Sequence, residues 1–328
     1  MTFTLDTHWV WDFWFADDGE TFHLFYLHAP RSLGDQHLRH RNARIGHAVS
    51  DDLVSWTDLG VVLEPGGPGE FDESATWTGS VIQAPDGTWR MFYTGTRFLS
   101  PETATNVEMI GVASSADLHT WVKHPGPITR ADPHHYETLG HADWPEEAWR
   151  DPWVFADPAG AGWHMLVTAR ATGPHGRDSG VIGHATSADL VDWTVQPPLS
   201  EPGAGFVHLE VPQVVTIDGR TVLLFSADSP ALAGTRAGAT GGVWALEIES
   251  PTGPFDLARS TLLTTDALYA GRAVQNRSGA WVLLAFENTS TDGEFVGSLS
   301  DPIPVGWDGG GGPLILLGGA TLIEVGER

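Results

Sequence analysis

Short apolar runs recur along the chain, each just after a turn signal. They read Phe22-His-Leu-Phe-Tyr26, Trp89-Arg-Met-Phe-Tyr93, Trp163-His-Met-Leu-Val167, Thr221-Val-Leu-Leu-Phe225 and Trp281-Val-Leu-Leu-Ala285. Runs this short, with aromatic and branched residues, predict strands rather than helices. The preceding Asp18-Gly19, Asp86-Gly87, Gly160-Ala-Gly162, Asp218-Gly219 and Ser278-Gly279 predict hairpins, because glycine accepts the positive φ of tight turns. A longer pattern follows the hairpins. Ile45-Gly-His-Ala-Val-Ser-Asp-Asp-Leu-Val-Ser-Trp56 recurs as Ile110-Gly-Val-Ala-Ser-Ser-Ala-Asp-Leu-His-Thr-Trp121 and as Ile182-Gly-His-Ala-Thr-Ser-Ala-Asp-Leu-Val-Asp-Trp193. Val243–Phe255 is a degenerate fourth copy, and Val296–Pro302, trailing into Trp307, is a fifth. Long helical periodicity is absent. Five similar units, each a small four-stranded sheet, predict an all-β, five-bladed β-propeller formed as a single domain over residues 1–328. Phe3-Thr-Leu5, Pro313–Leu317 or Thr321–Val325 is expected to close the ring across the termini.

Composition narrows the function. The chain is 41% hydrophobic and has no cysteine, so it can build a core but has no disulfide, thiolate metal site or cysteine nucleophile. Forty-two acidic side chains against 17 basic ones give a net charge of −25. Nucleic acid and anionic membrane surfaces are therefore poor partners, whereas a small neutral carbohydrate is not penalised. The start of the chain has neither the charged nor the apolar region of a signal peptide, and no apolar run reaches membrane-spanning length, so a soluble cytoplasmic protein is expected.

In a propeller the first strand of each blade lines the central channel. These strands begin at Trp9-Val-Trp-Asp12-Phe-Trp-Phe15, Trp77-Thr-Gly-Ser80, Arg150-Asp151-Pro152, Leu209-Glu210-Val-Pro212 and Leu268-Tyr-Ala-Gly-Arg272. Asp12, Asp151 and Glu210 are then expected at equivalent positions, converging on one axial funnel. Charges inside apolar segments such as Ala148-Trp-Arg-Asp-Pro-Trp-Val-Phe-Ala156 are costly unless paired or put to use. The charged head of that strand is expected at the channel mouth, with only Trp153–Ala156 in the core. Two carboxylates flanking a bond, with a third binding hydroxyls, suit glycosidic chemistry. Trp9, Trp11, Trp14, Trp77, Ser80, Arg150, Tyr269 and Arg272 are candidate substrate contacts, while Trp56, Trp121 and Trp193 of the repeat are read as packing residues. Asp132–Asp143 carries three histidines, but their irregular spacing reads as a rim loop rather than a metal site, and no cofactor is expected.

Together these segments resemble the β-fructosidase group, glycoside hydrolase families 32 and 68. Arg150-Asp-Pro152 matches a motif of both. Leu209-Glu-Val-Pro-Gln213 is similar to the family 32 Glu-Cys-Pro motif, with Val211 where Cys is usual. Val10-Trp-Asp-Phe-Trp14 is similar to the family 68 nucleophile segment and stands where family 32 has Asn-Asp-Pro-Asn-Gly. Trp77-Thr-Gly-Ser80, Ile45–Trp56 and Asp266-Ala-Leu-Tyr-Ala270 also resemble family 32 segments. The C-terminal β-sandwich usual in family 32 is not expected. The resemblance implies Asp12 as nucleophile, Glu210 as acid/base and Asp151 as transition-state stabiliser, in a retaining hydrolase or transglycosylase acting on sucrose, fructo-oligosaccharides or a related furanoside. The residues agree with these roles. Apolar Leu209 and Val211 beside Glu210 favour a proton-bearing carboxyl, and Arg150 is placed to hold the charge of Asp151. An inverting furanosidase of the arabinanase type and a non-catalytic carbohydrate-binding propeller share this architecture and remain alternatives.

Overall fold

The computed structural model describes residues 3–140, 144–290 and 292–317. Blade one is β1 (His8–Asp17), β2 (Phe22–Pro30), β3 (Arg44–Ser50) and β4 (Thr57–Leu63). Blade two is β5 (Ala75–Gln83), β6 (Trp89–Phe98) and β7 (Asn106–Ser115), with short β8 (Val122–Lys123) and β9 (Thr129–Arg130) outside and β10 (Glu146–Glu147) running parallel to β7. Blade three is β11 (Trp149–Ala156), β12 (Trp163–Arg170), β13 (Gly180–Ser187) and β14 (Trp193–Gln196). Blade four is β15 (Glu210–Ile217), β16 (Arg220–Ala227), β17 (Gly242–Glu247) and β18 (Thr261–Leu262). Blade five is β19 (Leu268–Gln275), β20 (Trp281–Thr289), β21 (Phe295–Leu299), β22 (Ile303–Trp307) and β23 (Leu314–Leu316), its third position shared by β21 and β22. The inner strands β1, β5, β11, β15 and β19 touch in ring order, and β19 returns to β1.

The expected all-β, five-bladed propeller is what the described residues form, and its closure is at the amino end. Phe3 bridges Leu299 of β21, whose amide donates to the Phe3 carbonyl at 2.8 Å. Arg277 clamps the Asp17 carboxylate across the same seam at 2.6 and 2.9 Å. Leu314–Leu316 instead extends blade five outward by pairing with β22, and Thr321–Val325 lies outside the described residues.

The repeated segment makes a particular turn. Ser50, Ser115 and Ser187 each accept an amide hydrogen bond from the Asp two residues on, whose carboxylate in turn accepts two later amides. The leucines within these turns, Leu53, Leu118 and Leu190, take φ of 64, 63 and 67°, a conformation that costs a non-glycine residue about 1–2 kcal/mol. All three leucines are buried, which offsets the strain. Trp56, Trp121 and Trp193 pack beside them against the cores between blades.

Candidate active site

Each inner strand carries an irregularity at its head, where the register with the second strand slips. The slip falls between Trp11 and Phe13, Trp77 and Gly79, Arg150 and Trp153, Glu210 and Gln213, and Tyr269 and Arg272. Such bulges re-aim side chains, and Pro152 and Pro212, which have no amide to offer a ladder, sit inside two of them. Asp151, Val211 and Ala270 adopt φ of 59, 53 and 51°, in the left-handed region that a β-branched residue rarely enters. The preceding blade captures the amide of each. Asp151 N donates to Thr94 Oγ1 at 2.9 Å, Val211 N to Asp151 Oδ2 at 3.1 Å, and Ala270 N to Ser226 Oγ at 3.0 Å.

This register corrects the expectation that the three acids occupy equivalent positions. Glu210 is equivalent to Arg150 and Tyr269, the last paired residue before the bulge. Asp12 and Asp151 are bulge residues, in the position of Thr78, Val211 and Ala270. Both kinds of position supply side chains to the cavity. Asp12, Asp151 and Glu210, from blades one, three and four, line one cavity of about 620 Å³.

Asp12 is half-buried on the cavity wall and accepts from Thr78 Oγ1 at 2.6 Å. Burial first, then the charge of Asp151, pushes its carboxyl up to about 7. The Thr78 hydrogen bond and the Arg39 guanidinium pull it down, and Glu210 adds to the rise. Asp151 is almost inaccessible. Its Oδ2 accepts from Thr168 Oγ1 at 2.8 Å as well as from Val211 N, and burial raises its pKa against the pull of Arg150. Glu210 is held at both oxygens: Arg150 Nη2 donates to Oε1 at 2.6 Å and Tyr269 Oη to Oε2 at 2.6 Å.

Two expectations about charge are revised. Glu210 is not enclosed by its apolar neighbours, because Leu209 and Val211 pack into two separate cores while the carboxylate enters the cavity. Arg150 does not chiefly hold Asp151. Its Nε is 3.8 Å from Asp151, whereas its terminal nitrogens reach Glu210 at 2.6 Å and both oxygens of Glu108 at 3.1 Å. The head of β11 is also its most buried part. Trp149, Arg150, Asp151 and Pro152 are inside, while Trp153 and Phe155 are half-buried and Ala156 is exposed.

Of the other candidates, Trp11, Trp77, Arg150 and Tyr269 line the cavity. Trp9, Trp14, Ser80 and Arg272 lie outside its lining. Trp14 is fully buried and stacks on Phe25, and Trp9 packs in the same core under Arg31. Ser80 Oγ accepts from Val154 N, joining blades two and three. Arg272 is spent on the Pro212 and Phe13 carbonyls, tying three inner strands together. Within Asp132–Asp143, His134 pairs with Asp132, and His141 and Asp143 lie outside the described residues.

Several lining residues carried no role in the sequence reading. Thr78 lay inside a segment already singled out. Arg39 stacks on Phe295 at 3.9 Å, and its pKa is lowered by burial to about 10, with Asp12 and Glu210 opposing. A signal for it existed, since Arg31, Arg39, Arg41 and Arg44 crowd one stretch of a chain with only 17 basic residues. Asp228, just past β16 of blade four, is raised to about 6 by burial and by Glu210. Glu146 approaches Arg150 at 3.7 Å and His208 at 3.6 Å.

The comparisons with known proteins agree with this fold. The chain is 31% identical over 194 residues to a fructan 6-exohydrolase of Triticum aestivum, covering 57% of this chain and 29% of that protein. It is 29% identical over 221 residues to a sucrose-6-phosphate hydrolase of Escherichia coli, covering 65% and 39%. The chain thus spans well under half the length of these curated relatives. Its fold is similar to that of an inulosucrase from Halalkalicoccus jeotgali bound to kestose, with a TM-score of 0.77, 24% identity, and coverage of 99% of this chain and 91% of that one. The family model of the glycosyl hydrolases family 32 N-terminal domain matches residues 13–296 and so begins one residue past Asp12. By that match over most of its length, the chain belongs to the glycosyl hydrolase family 32 N-terminal domain family.

Proposed function

We propose that this protein is a retaining glycoside hydrolase or transglycosylase acting on β-fructofuranosides such as sucrose or fructo-oligosaccharides. The observation that carries the reading is the cavity itself: three carboxylates from three blades meet there, each fixed by a bulge and by named donors. The relatives' names, fructan exohydrolase and sucrose-6-phosphate hydrolase, support the substrate class.

In this reading an ionised Asp12 attacks the anomeric carbon while Glu210 gives its proton to the leaving oxygen. Glu210 then takes a proton from the water, or the sugar hydroxyl, that displaces Asp12. Asp151 Oδ2 is already occupied by Thr168 and Val211, which leaves Oδ1 to accept from the hydroxyls of the bound ring. Trp11 and Trp77 offer aromatic walls to its apolar face.

A panel of sucrose, inulin, levan, an aryl β-fructofuranoside and arabinan tests the substrate class. Turnover of the fructosides is expected, and turnover of arabinan alone would overturn it. The acid limb of kcat/KM tests the nucleophile. Protonated Asp12 cannot attack, so activity falls as pH drops through about 7, above the usual carboxylate range. Thr78→Val removes a hydrogen bond to the ionised form and should move that limb upward by about one pH unit. A limb that stays put, or moves down, would separate Asp12 from the acid limb.

A further inference from the structure

Glu108 on β7 lies behind the cavity wall, not on it, and is 0% exposed. The repeat does not ask for an acid there. It stands two residues before Ile110, where blades one and three have Ala43 and Gly180. Burying a carboxylate is costly unless excellent partners receive it, and Glu108 has three such contacts. Arg150 Nη1 donates to both oxygens at 3.1 Å, and the Trp149 amide donates to Oε2 at 3.0 Å.

Those contacts have a directional consequence. A guanidinium is planar and its donors are fixed relative to one another. With Nη1 anchored on Glu108, Nη2 is aimed at Glu210 Oε1, 2.6 Å away. Two other carboxylates compete for the same group, Glu146 at 3.7 Å and Asp151 at 3.8 Å. Without the anchor on β7, the guanidinium would be drawn to either, and Glu210 would lose one of its two donors. Tyr269 alone would hold it, through the other oxygen.

We propose that Glu108 is a positioning residue for proton transfer at Glu210, acting through the Arg150 guanidinium that bridges the two. The inference rests on the reading of Glu210 as the acid/base. When the proton of Glu210 passes to the glycosidic oxygen, the bond from that oxygen to the anomeric carbon breaks and Asp12 bonds to the carbon. Glu210 is left with a negative charge, and an Arg150 already in place meets it without reorganisation. In the second step Glu210 removes a proton from the attacking hydroxyl and its charge is discharged again.

The test is the dependence on leaving group. An aryl β-fructofuranoside with an acidic phenol departs with little protonation, whereas the glucosyl oxygen of sucrose needs it. Glu108→Gln should lower kcat/KM on sucrose about 10²-fold, the scale of a misplaced catalytic group. The aryl substrate should lose less than tenfold, and azide should accelerate aryl turnover by replacing the base-assisted attack of water. Arg150→Lys, which keeps a cation but not the fork, should give the same signature, and the double variant should lose no more than the worse single one. An equal loss on both substrates without azide rescue, or no loss on either, would overturn the proposal. If Glu108→Gln does not fold, an unchanged ratio of sucrose to aryl turnover in Arg150→Lys would overturn it too. Glu210→Gln separates the two readings: if that variant itself treats both substrates alike, the acid/base assignment falls rather than the role of Glu108.

Discussion

With Asp12 as the proposed nucleophile, Asp12→Asn is expected to turn over sucrose about 10⁴-fold more slowly than the parent protein, and its fold to be more stable near neutral pH. The rate loss follows from removing the nucleophile of a double displacement, for which no neighbour can substitute. Asp151 is closed in by Thr168 and Val211, and Glu210 is held by Arg150 and Tyr269. The gain in stability follows from the charge balance. Ionised Asp12 shares the cavity with Asp151 and Glu210, and burial and Asp151 raise its pKa from 3.8 to about 7. A carboxyl raised in the folded state binds protons more tightly there than in the unfolded chain, so it costs stability as pH rises from about 4 to about 7. The asparagine variant avoids that cost. It should gain about 1 kcal/mol at pH 8, and the gain should shrink as pH falls toward 4. Chemical denaturation at the two pH values measures it. A variant that keeps more than a tenth of parental kcat would rule out Asp12 as the nucleophile.

Arg150→Met gives the largest loss of stability expected here. Arg150 is the only cation in direct contact with fully buried Glu108 among the described residues, and it also meets Glu146, Asp151 and Glu210. Where pH is high enough for Glu108 to be ionised, above about 8, removing its cation leaves a buried charge uncompensated, at a cost of about 3–5 kcal/mol. A fall in Tm of about 10 °C is the expected scale. Glu108→Gln introduced into the methionine variant should recover part of it, because an amide costs less to bury than an unpaired charge. Lower pH should recover part as well. Burial already raises Glu108 to about 8 against the pull of Arg150, so without the arginine the proton is taken up more readily still. A thermal shift of less than 3 °C would mean that the charge cluster is solvated in a way that the burial of Glu108 contradicts.

The sequence made the ring legible because its repeat reports on turn chemistry. The serine, aspartate and leucine of Ser50–Leu53 and its two copies make one left-handed turn in each of blades one, two and three. The three acids were legible because each interrupts an apolar strand with a group that strand has no packing use for. What pattern reasoning missed was register. A bulge shifts a side chain from core to axis without altering composition, so Asp12, Thr78 and Asp151 reach the cavity while Trp14, just past the slip in β1, stays fully buried against Phe25. The same slip made Glu210 look equivalent to Asp151 when it is equivalent to Arg150. Contacts between blades were out of reach for another reason. Glu108, on the third strand of blade two, meets Arg150 only where that blade packs on blade three, and Arg39, in the turn Gln36–Asn42, meets Asp12 only through the folding of blade one.

The anomeric configuration of the first product tests the double displacement most directly. With sucrose or an aryl β-fructofuranoside as donor and methanol as acceptor, NMR of the early reaction should find methyl β-fructofuranoside, formed by two inversions through a fructosyl–Asp12 ester. Methyl α-fructofuranoside would contradict the account, because a single displacement has no place for Asp12 as nucleophile.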